Sequence, residues 1–393
     1  MQYDFDTPID RTHTWSIKHD FKKENGKADD ILPLWVADMD FRSPDSVVEA
    51  LKKAVDHGIF GYSRADESYF DAVAAWYQKR HHLTLQPEWM TCTPGIVFAL
   101  SIAVRAFTQE GDAVLIQPPV YHPFSRAILR NKRTLVENPL VLKDGHYEMD
   151  LEDLEQKVLD EHVKLMILCN PHNPVGRVWT REELTALADI CLRHHVYVIS
   201  DEIHGDFVWQ GHEQTPYASI SEEACLHSMM CTAPSKTFNL AGLVGSYHIV
   251  YNSWWRDRME KESSLSHYNM MNVLSMHALI GAYKPEGYEW TDELCEVLTG
   301  NIDFACDYIE KHFEGVTVSK PQGTYMLFVD CTDWCKAHGK TIEDVEHACW
   351  DVGAAIQDGT MFFGPCHLRM NLASPRSRIE EAFHRMDKYV FNA

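Results

Sequence analysis

The chain has 393 residues, more than one hydrophobic core usually serves, so we expect two domains or one large domain with a smaller lobe. Its 58 acidic residues against 36 basic ones give a formal net charge of −22, which argues against nucleic acid and anionic membranes as partners. No apolar run approaches the roughly 20 residues that a membrane span requires. The 11 cysteines are scattered, and the acidic start of the chain is unlike a signal peptide, so we expect a cytoplasmic protein with free thiols.

The middle of the chain alternates strand-like runs with helical ones. After a loop-rich segment that ends near Pro44, apolar runs without polar alternation predict strands that are buried on both faces. These runs are Ala113–Ile116, Leu165–Cys169, Val196–Ser200, His227–Thr232 and Ser246–Val250. Between the second and third runs, Thr180 can cap a helix and Glu183 can complete a capping box. This rhythm predicts an α/β fold with a mostly parallel sheet covered by helices.

The C-terminal third has a different order of elements. The patterns predict a helix over 301–312, strands at 316–318 and 323–329, a helix near 341–351, a strand over 367–371 and a last helix. This order indicates a smaller α+β domain, on which the N-terminal segment should pack. We therefore expect a large domain over residues 45–287 and a discontinuous small domain formed by residues 1–44 and 288–393.

A lysine and an aspartate follow two of the predicted strands. Lys236 comes shortly after the run 227–232, and Asp201 comes directly after the run 196–200. The amine of such a lysine can form a Schiff base with an aldehyde cofactor, and a buried carboxylate can keep a pyridine nitrogen protonated. A helix N-cap is the alternative role for Asp201. The pair indicates a site for pyridoxal 5′-phosphate.

Four further residues are candidates for the same site. Asn173 lies in a turn with two Asn-Pro steps that invite a cis bond, although the turn can also simply join a strand to a helix. Gly95 precedes an apolar helix whose N–H groups can bind a phosphate, but Pro-Gly is also common in plain turns. Tyr121, in a proline-rich turn, can stack on a cofactor ring. Arg369, in an apolar strand, can bind a substrate carboxylate or pair with an internal acid.

Other types of site find little support in the sequence. Cys331, Cys335 and His338 have a loosely metal-like spacing, but no second cysteine pair follows, so we predict no metal site. The glycine-rich dinucleotide fingerprint, the P-loop and the nucleophile elbow of serine hydrolases are all absent from the sequence. The site centred on the lysine therefore remains the leading candidate.

The motifs occur together in an order that resembles a known family. Residues 170–176 read Asn-Pro-His-Asn-Pro-Val-Gly, residues 200–204 read Ser-Asp-Glu-Ile-His, and residues 235–238 read Ser-Lys-Thr-Phe. Over essentially the whole chain this order is similar to the class I/II aminotransferase superfamily, which is pyridoxal-phosphate-dependent and has fold type I. The sequence Val-Ala-Asp-Met-Asp-Phe at residues 36–41 narrows the resemblance to cystathionine β-lyases and cystalysin-like C–S lyases.

The resemblance implies a role for each residue of a pyridoxal-phosphate site. For the cofactor ring it implies that Lys236 forms the Schiff base, that Asp201 pairs with the ring nitrogen and that Asn173 or His204 bonds the ring hydroxyl. It also implies that Tyr121 stacks on the ring and assists catalysis. For the phosphate it implies the backbone of Gly95 and Ile96, the hydroxyl of Ser235, and Tyr62 of the partner subunit in a homodimer. For the substrate it implies Arg369 and the backbone at Ala37 on the carboxylate, with Tyr62 and His122 nearby.

The chain departs from the family pattern at three positions. Val244 stands where aminotransferases have a phosphate-binding arginine, so the phosphate must rely on backbone and hydroxyl donors. His204 stands where a tyrosine is usual, which leaves the ring hydroxyl to Asn173 or to this imidazole. His122 replaces a second tyrosine, and an imidazole there can act as an acid or base near neutral pH.

The activity that the resemblance implies is the elimination of a thiol from a sulfur-containing amino acid. The expected substrate is L-cystathionine, or cysteine and S-substituted cysteines, and the expected products are a thiol such as homocysteine, pyruvate and ammonia. Two alternatives stay open: an aminotransferase, which would share the first half of the reaction, and a binding or regulatory protein with the same fold. The presence of Lys236, Asp201 and Arg369 together favours an enzyme.

Overall fold

The computed structural model describes residues 2–21, 30–266 and 270–392. Its strands are β1 (Leu32–Pro33), β2 (Met90–Thr93), β3 (Ala113–Ile116), β4 (Thr134–Glu137), β5 (Val141–Lys143), β6 (His146–Glu148), β7 (Leu165–Cys169), β8 (Tyr197–Asp201), β9 (Ser228–Thr232), β10 (Ser246–Ile249), β11 (Thr317–Val318), β12 (Met326–Asp330), β13 (Ala354–Ala355), β14 (Gln357–Asp358) and β15 (His367–Asn371). Seven of them form the main sheet, in the order β2-β10-β9-β8-β7-β3-β4.

The main sheet is mostly parallel, as the sequence predicts. The pairs β3–β4, β3–β7, β7–β8 and β8–β9 are parallel. The strands β3, β7, β8 and β9 are buried at every residue, which explains their lack of polar alternation. Only β10 departs from the βαβ rhythm within this sheet, because it runs antiparallel to both β9 and β2. The carboxyl ends of β2, β3, β7, β8 and β9 therefore lie at one edge of the sheet.

Helices surround this sheet and build the rest of the described chain. They are α1 (Ile17–Asp20), α2 (Asp45–His57), α3 (Glu67–His81), α4 (Ile96–Phe107), α5 (Pro123–Arg130), α6 (Leu151–Asp160), α7 (Arg181–Arg193), α8 (Glu222–Leu226), α9 (Pro234–Thr237), α10 (Ser253–Ser264), α11 (Val273–Ala282), α12 (Pro285–His312), α13 (Thr332–His338), α14 (Ile342–Asp351) and α15 (Arg376–Met386). Among the described residues, no helix combines the length and the apolar character that crossing a bilayer requires.

Both faces of the main sheet are covered, because alternate residues of its strands enter different apolar clusters. Ile167 of β7 packs in a cluster that contains Leu100 of α4. Its neighbours Met166 and Leu168 pack in another cluster, together with Leu184 of α7. Burial on both faces requires this arrangement of helices and is typical of a parallel sheet.

The ends of two helices show how well the local sequence signals work. Helix α7 begins with the predicted capping box, in which Thr180 and Glu183 each bond the backbone of the other. Helix α12 is longer than predicted and runs over 28 residues from Pro285. The sequence analysis places the end of the large domain near Pro285, but proline is also favoured at the first position of a helix. Gly287 is also required for packing, because a Cβ on it would lie 1.7 Å from the carbonyl oxygen of Ala282.

A second sheet, in the order β11-β12-β15-β14, is formed by the C-terminal third of the chain. The strand predicted over 323–329 begins only at Met326, because the N–H groups of Gly323 and Thr324 bond the carbonyls of Gly176 and Phe207 instead. The N-terminal segment packs here, with β1 parallel to β13. The domain division into residues 45–287 against 1–44 and 288–393 stays a prediction.

A buried ion cluster holds the segment that leads from β1 to α2. The carboxylate of Asp40 accepts hydrogen bonds from Lys18 at 2.9 Å, His19 at 2.9 Å and Arg11 at 2.8 Å. The side chains of Lys18 and Asp40 are both 0% exposed. Arg11 also forms a two-pronged pair with Asp38. The cluster therefore ties residues 38–40 to the N-terminal segment.

We expect Asp40→Asn to lower the free energy of unfolding by about 3–5 kcal/mol at pH 7, because it leaves the buried ammonium of Lys18 without its carboxylate. Urea-induced unfolding followed by circular dichroism measures this loss. Asp45→Asn is the control, since it removes an ion pair with Arg42 that is largely exposed and should change stability little.

The pH dependence of this stability gives a second check on the same prediction. Burial alone would raise the pKa of Asp40, but the charges of Lys18 and His19 hold it well below its usual value. The stabilisation is therefore complete above the unfolded pKa of about 4 and is lost as the pH falls toward the lower folded pKa. The difference between the unaltered protein and Asp40→Asn should shrink between pH 7 and pH 3, and a constant difference would contradict this role.

Candidate active site

Most of the residues predicted for the site line one cavity at the carboxyl edge of the main sheet. The cavity encloses about 120 Å³. The predicted residues in its lining are Ala37, Ile96, Tyr121, Asn173, Asp201, His204 and Lys236. Val97, Cys169 and Ile203, which were not predicted, complete it. Side chains from distant parts of the sequence meet here because the parallel strands all end at this edge.

Lys236 lies in the short helix α9, which follows β9. Its Nζ donates a hydrogen bond of 2.7 Å to the carbonyl oxygen of Ala37. The same oxygen accepts the hydroxyl of Tyr325 at 3.2 Å. Burial lowers the pKa of Lys236 to about 8, and the positive charge of Arg369 adds to this effect. An amine with such a pKa is an effective nucleophile and base near neutral pH.

Asp201 ends β8, where it lies opposite Cys169 of β7. Its Oδ1 accepts the backbone N–H of Ile203 at 3.2 Å, and no helix begins there, so the N-cap alternative is not observed. Burial raises the pKa of Asp201 to about 7, although this N–H and the charge of Lys236 act in the opposite direction. No ion pair links Asp201 to a cationic side chain in the described parts of the chain, so its carboxyl would gain from a cationic ligand.

Arg369 lies in the middle of β15 and is buried. Its Nη2 donates to the carbonyl of Trp35 at 3.0 Å and to Oε1 of Gln357 at 2.6 Å, and its guanidinium lies 4.2 Å from the ring of Phe362. Its Nε has no hydrogen-bond partner. Over residues 2–21, 30–266 and 270–392 no acid pairs with it, so the structural ion pair considered above is not observed. Burial lowers the pKa of Arg369 to about 10. A buried guanidinium without a counter-ion favours an anionic ligand.

Asn173 and His204 approach the cavity from the loops after β7 and β8. Each carries a buried atom without a hydrogen-bond partner, Oδ1 in Asn173 and Nδ1 in His204. The turn around Asn173 has cis bonds before both Pro171 and Pro174, as its sequence invites. Burial lowers the pKa of His204 to about 3, and the charges of Lys236 and Arg369 contribute. The imidazole of His204 is therefore neutral at physiological pH.

Tyr121 and His122 lie side by side, but only Tyr121 lines the cavity. Burial raises the pKa of Tyr121, and the charge of Asp201 adds to this. The ring of His122 meets that of Phe362 edge-on at 5.2 Å, and its Nδ1 has no partner. Burial lowers the pKa of His122 to about 4, helped by the charges of Arg126 and Arg369. This value lies below the neutral range in which an acid–base role for His122 was expected.

Ile96 and Val97, in the first turn of α4, also line the cavity and bring backbone N–H groups to it. Gly95, with a φ of +94°, is the N-cap of α4, and Ile96 is the first residue of that helix. The N–H groups of a first helical turn have no acceptor within the helix. Ser235 directly precedes Lys236 in helix α9. Val244 stands close to Gly95, because a Cβ on this glycine would lie 3.6 Å from its Cγ1.

Of the predicted site residues, Gly95, His122, Ser235 and Arg369 lie outside the cavity lining, and so does Tyr62. Its side chain is 97% exposed, and it lies in a loop between α2 and α3. The role of Tyr62 was expected from a second copy of the chain. That role and the homodimer stay predictions.

The structure adds residues that sequence reasoning missed. Tyr325 and Asn371 both contact the backbone at residues 36–38, and Gln357 and Phe362 contact Arg369. A polar residue within the apolar strand β15 was a usable signal for Asn371. For Tyr325 and Phe362 no signal existed, because aromatic residues are ordinary components of a core.

The groups left unsatisfied in the cavity fit pyridoxal 5′-phosphate. Among the described residues no cationic side chain forms an ion pair with the buried carboxyl of Asp201. A protonated pyridine nitrogen would supply the missing positive charge. Oδ1 of Asn173 and Nδ1 of His204 lack the partner that a ring hydroxyl would provide. The first turn of α4 can bind the phosphate, and Lys236 can bond the aldehyde.

Comparison with known proteins agrees with this fit. The model of the family "Aminotransferase class I and II" matches residues 29–386. Cystathionine beta-lyase PatB of Bacillus subtilis is 40% identical over 385 residues, which cover 97% of this chain and 98% of that protein. The structure of cystalysin from Treponema denticola, which contains a pyridoxal 5′-phosphate cofactor, superposes with a TM-score of 0.94 at 35% identity over 99% of each chain.

A third similar protein is a pyridoxal-phosphate-bound C–S lyase from Staphylococcus hominis. Its structure superposes with a TM-score of 0.91 at 30% identity, over 99% of this chain and 98% of that one. The resemblance inferred from the motifs is thereby confirmed, and so are the fold and the cofactor. The chain belongs to the class I and II aminotransferase family and, within it, to the pyridoxal-phosphate-dependent C–S lyases.

Proposed function

We propose that the protein catalyses the α,β-elimination of L-cystathionine, or of cysteine and S-substituted cysteines, which with one molecule of water gives a thiol, pyruvate and ammonia. The observation that carries the proposal is a cavity lined by an amine with lowered pKa and by a buried carboxyl that forms no ion pair within the described residues, with the guanidinium of Arg369 close enough to lower the pKa of that amine. L-Cystathionine is the leading substrate because the 40% identical relative is named a cystathionine β-lyase. Its thiol product would be homocysteine.

The proposed cofactor contacts combine the residues that line the cavity with roles that the family resemblance implies. When bound, pyridoxal phosphate supplies an aldehyde for covalent attachment and a ring that stabilises negative charge at the substrate's α-carbon. Lys236 would hold the aldehyde, and Asp201 would keep the ring nitrogen protonated. The other contacts would be the ring hydroxyl to Asn173 and His204, stacking on Tyr121, and the phosphate to Gly95, Ile96, Ser235 and Tyr62 of the partner subunit.

The proposed substrate contacts lie on the other side of the same cavity. The guanidinium of Arg369 would bind the α-carboxylate, because its Nε is unused and a planar fork matches a carboxylate. The backbone at Ala37 would add a second contact, since no acceptor for its N–H is found among the described residues. His122 and Tyr62 of the partner subunit would lie toward the side chain of the substrate.

The proposed proton transfers use the amine of Lys236. With a pKa of about 8, roughly one free amine in ten is neutral at pH 7, compared with fewer than about one in a thousand for an ordinary lysine. The neutral amine would remove the α-proton, and the ammonium so formed would assist departure of the thiolate. Tyr121 would supply a second acid beside it. A thiolate needs little assistance, because the pKa of its conjugate acid is close to neutral.

Holoenzyme mixed with L-cystathionine should release pyruvate and free thiol in equal amounts while the visible band of the bound cofactor is retained. Lactate dehydrogenase coupling measures the pyruvate, and a thiol reagent measures the thiol. Loss of the visible band without pyruvate, reversed by a keto acid, would instead identify an aminotransferase. No spectral change and no product would favour the binding-protein alternative.

Lys236→Ala should lower kcat by about 10²–10⁴-fold or more, because the base and the point of covalent attachment are lost together. Borohydride reduction followed by intact-mass analysis gives a readout that is independent of turnover. The unaltered protein should gain the mass of the reduced cofactor, and the variant should not. Lys320→Ala, at an exposed lysine, is the control and should behave like the unaltered protein.

Arg369→Ala should raise KM by about 30-fold or more, since truncating one member of a buried charge pair costs about 2–5 kcal/mol. The KM of Arg369→Lys should lie between those of the unaltered protein and Arg369→Ala, because lysine keeps the charge and loses the planar fork. Steady-state kinetics with L-cystathionine measures both variants against Arg130→Ala, an exposed arginine. An unchanged KM in Arg369→Ala would show that Arg369 does not bind the substrate carboxylate.

A further inference from the structure

Residues 36–41, here called the strap, pass between the Lys236 loop and the Arg369 strand and are bonded to both by asparagines. Asn239, just after helix α9, binds the far end. Its Nδ2 donates to the carbonyls of Met39 at 2.8 Å and Phe41 at 3.2 Å, and its Oδ1 accepts the N–H of Met39 at 3.0 Å. The end of the strap that is remote from Ala37 is therefore fixed independently.

Asn371, the last residue of β15, binds the near end of the strap. Its Nδ2 donates to the carbonyls of Val36 at 2.6 Å and Asp38 at 2.5 Å. Its Oδ1 accepts the N–H of Ala373 at 2.8 Å, which fixes the orientation of the amide. The side chain is buried, with 0% of the residue exposed. Both hydrogens of the amide are thus used to hold the carbonyls on either side of Ala37.

Ala37 is therefore fixed from two sides while one of its own groups is unused. Its carbonyl accepts Lys236 and Tyr325, and no acceptor for its N–H is found among the described residues. Arg369 lies two residues before Asn371, so both side chains project from the same face of β15. Arg369 bonds the carbonyl of Trp35, directly before the strap, and keeps its Nε unused.

We propose that Asn371 is a positioning residue for the substrate carboxylate. By holding the carbonyls of Val36 and Asp38, it fixes the Ala37 peptide at the position where its N–H and the guanidinium of Arg369 bind the same anion. The proposal rests on the carboxylate contact of the proposed function, and not on which bond of the substrate is broken. Asn371 touches neither the cofactor nor the substrate, and it acts through Ala37.

The chain contains a matched control for the purely structural contribution of such an amide. Asn301 of α12 is also buried, and its Nδ2 donates to two carbonyls, those of Leu372 and Ser374, both at 2.9 Å. It donates the same number of hydrogen bonds to backbone carbonyls, here in the segment that directly follows β15. Asn301 does not itself bond the strap, although the segment it holds does so through the carbonyl of Ala373 and the N–H of Asp40, so its loss should affect carboxylate binding much less than the loss of Asn371.

The test measures ligand binding to holoenzyme rather than turnover. The probe is 3-(methylthio)propionate, which has a carboxylate and a thioether but no amino group to bond the cofactor. Its uncharged amide, 3-(methylthio)propionamide, is the second probe. Calorimetry should show that Asn371→Ala weakens binding of the carboxylate by about tenfold or more, as expected for losing one hydrogen bond to a charged group, and leaves binding of the amide unchanged. Asn301→Ala should change both by less than about twofold.

Three outcomes would overturn the proposal. Unchanged affinity for the carboxylate in Asn371→Ala would remove the positioning role, and equal losses in Asn371→Ala and Asn301→Ala would make the role purely structural. If the unaltered enzyme binds the carboxylate no better than the amide, the carboxylate site of the proposed function is itself wrong and this proposal fails with it. If Asn371→Ala does not fold, Asn371→Leu serves in its place, since it keeps nearly the same size, adds no charge and removes the donors.

Discussion

In the chain without cofactor, the hydrogen bond from the amine of Lys236 to the carbonyl of Ala37 fixes the amine in the site. It joins the loop after a strand of the main sheet to a segment that lies before the first long helix. That segment is held in turn by the asparagines on either side and by the buried carboxylate of Asp40. The position of the amine is therefore set by the N-terminal segment, the main sheet and the second sheet together. A change in any of the three should move the lysine relative to the cavity.

The electrostatics of the site are dominated by the burial of two cations, Lys236 and Arg369, and the carboxylates of Asp38 and Asp201 offset this only in part at the lysine. Burial lowers the pKa of both Lys236 and Arg369, and the positive charge of Arg369 lowers the pKa of Lys236 further. His204 and His122 lie close to these charges and are kept neutral, so they add no further repulsion. A chain with a net charge of −22 thus contains an interior that attracts anions. In the proposed function, a substrate carboxylate at Arg369 would relieve the repulsion between the two cations, which would link substrate binding to the protonation of Lys236.

Much of this arrangement could be predicted from the sequence, because local signals and strand topology act together. Unalternated apolar runs identified the parallel strands, and residues at their carboxyl ends, such as Asp201 and Asn173, had to meet at one edge. The start of helix α12 was not predicted, because a proline such as Pro285 is found both in the turns that separate elements and at the first position of a helix. The clamp made by Asn371 could not be predicted, since its partners lie more than three hundred residues away and are backbone carbonyls, which any sequence provides.

The unpartnered atoms of the cavity explain how cofactor binding and stability are linked. A buried polar atom without a partner costs free energy in the folded protein, and a ligand that supplies the partner removes that cost. Asp201 shows the sign of the effect. Its pKa is raised to about 7 in the folded chain, so its penalty is absent below the unfolded pKa of about 4 and grows as the pH rises toward 7. A protonated ring nitrogen beside it cancels this penalty where it is largest. The stabilisation by the cofactor should therefore increase from pH 4 to pH 7.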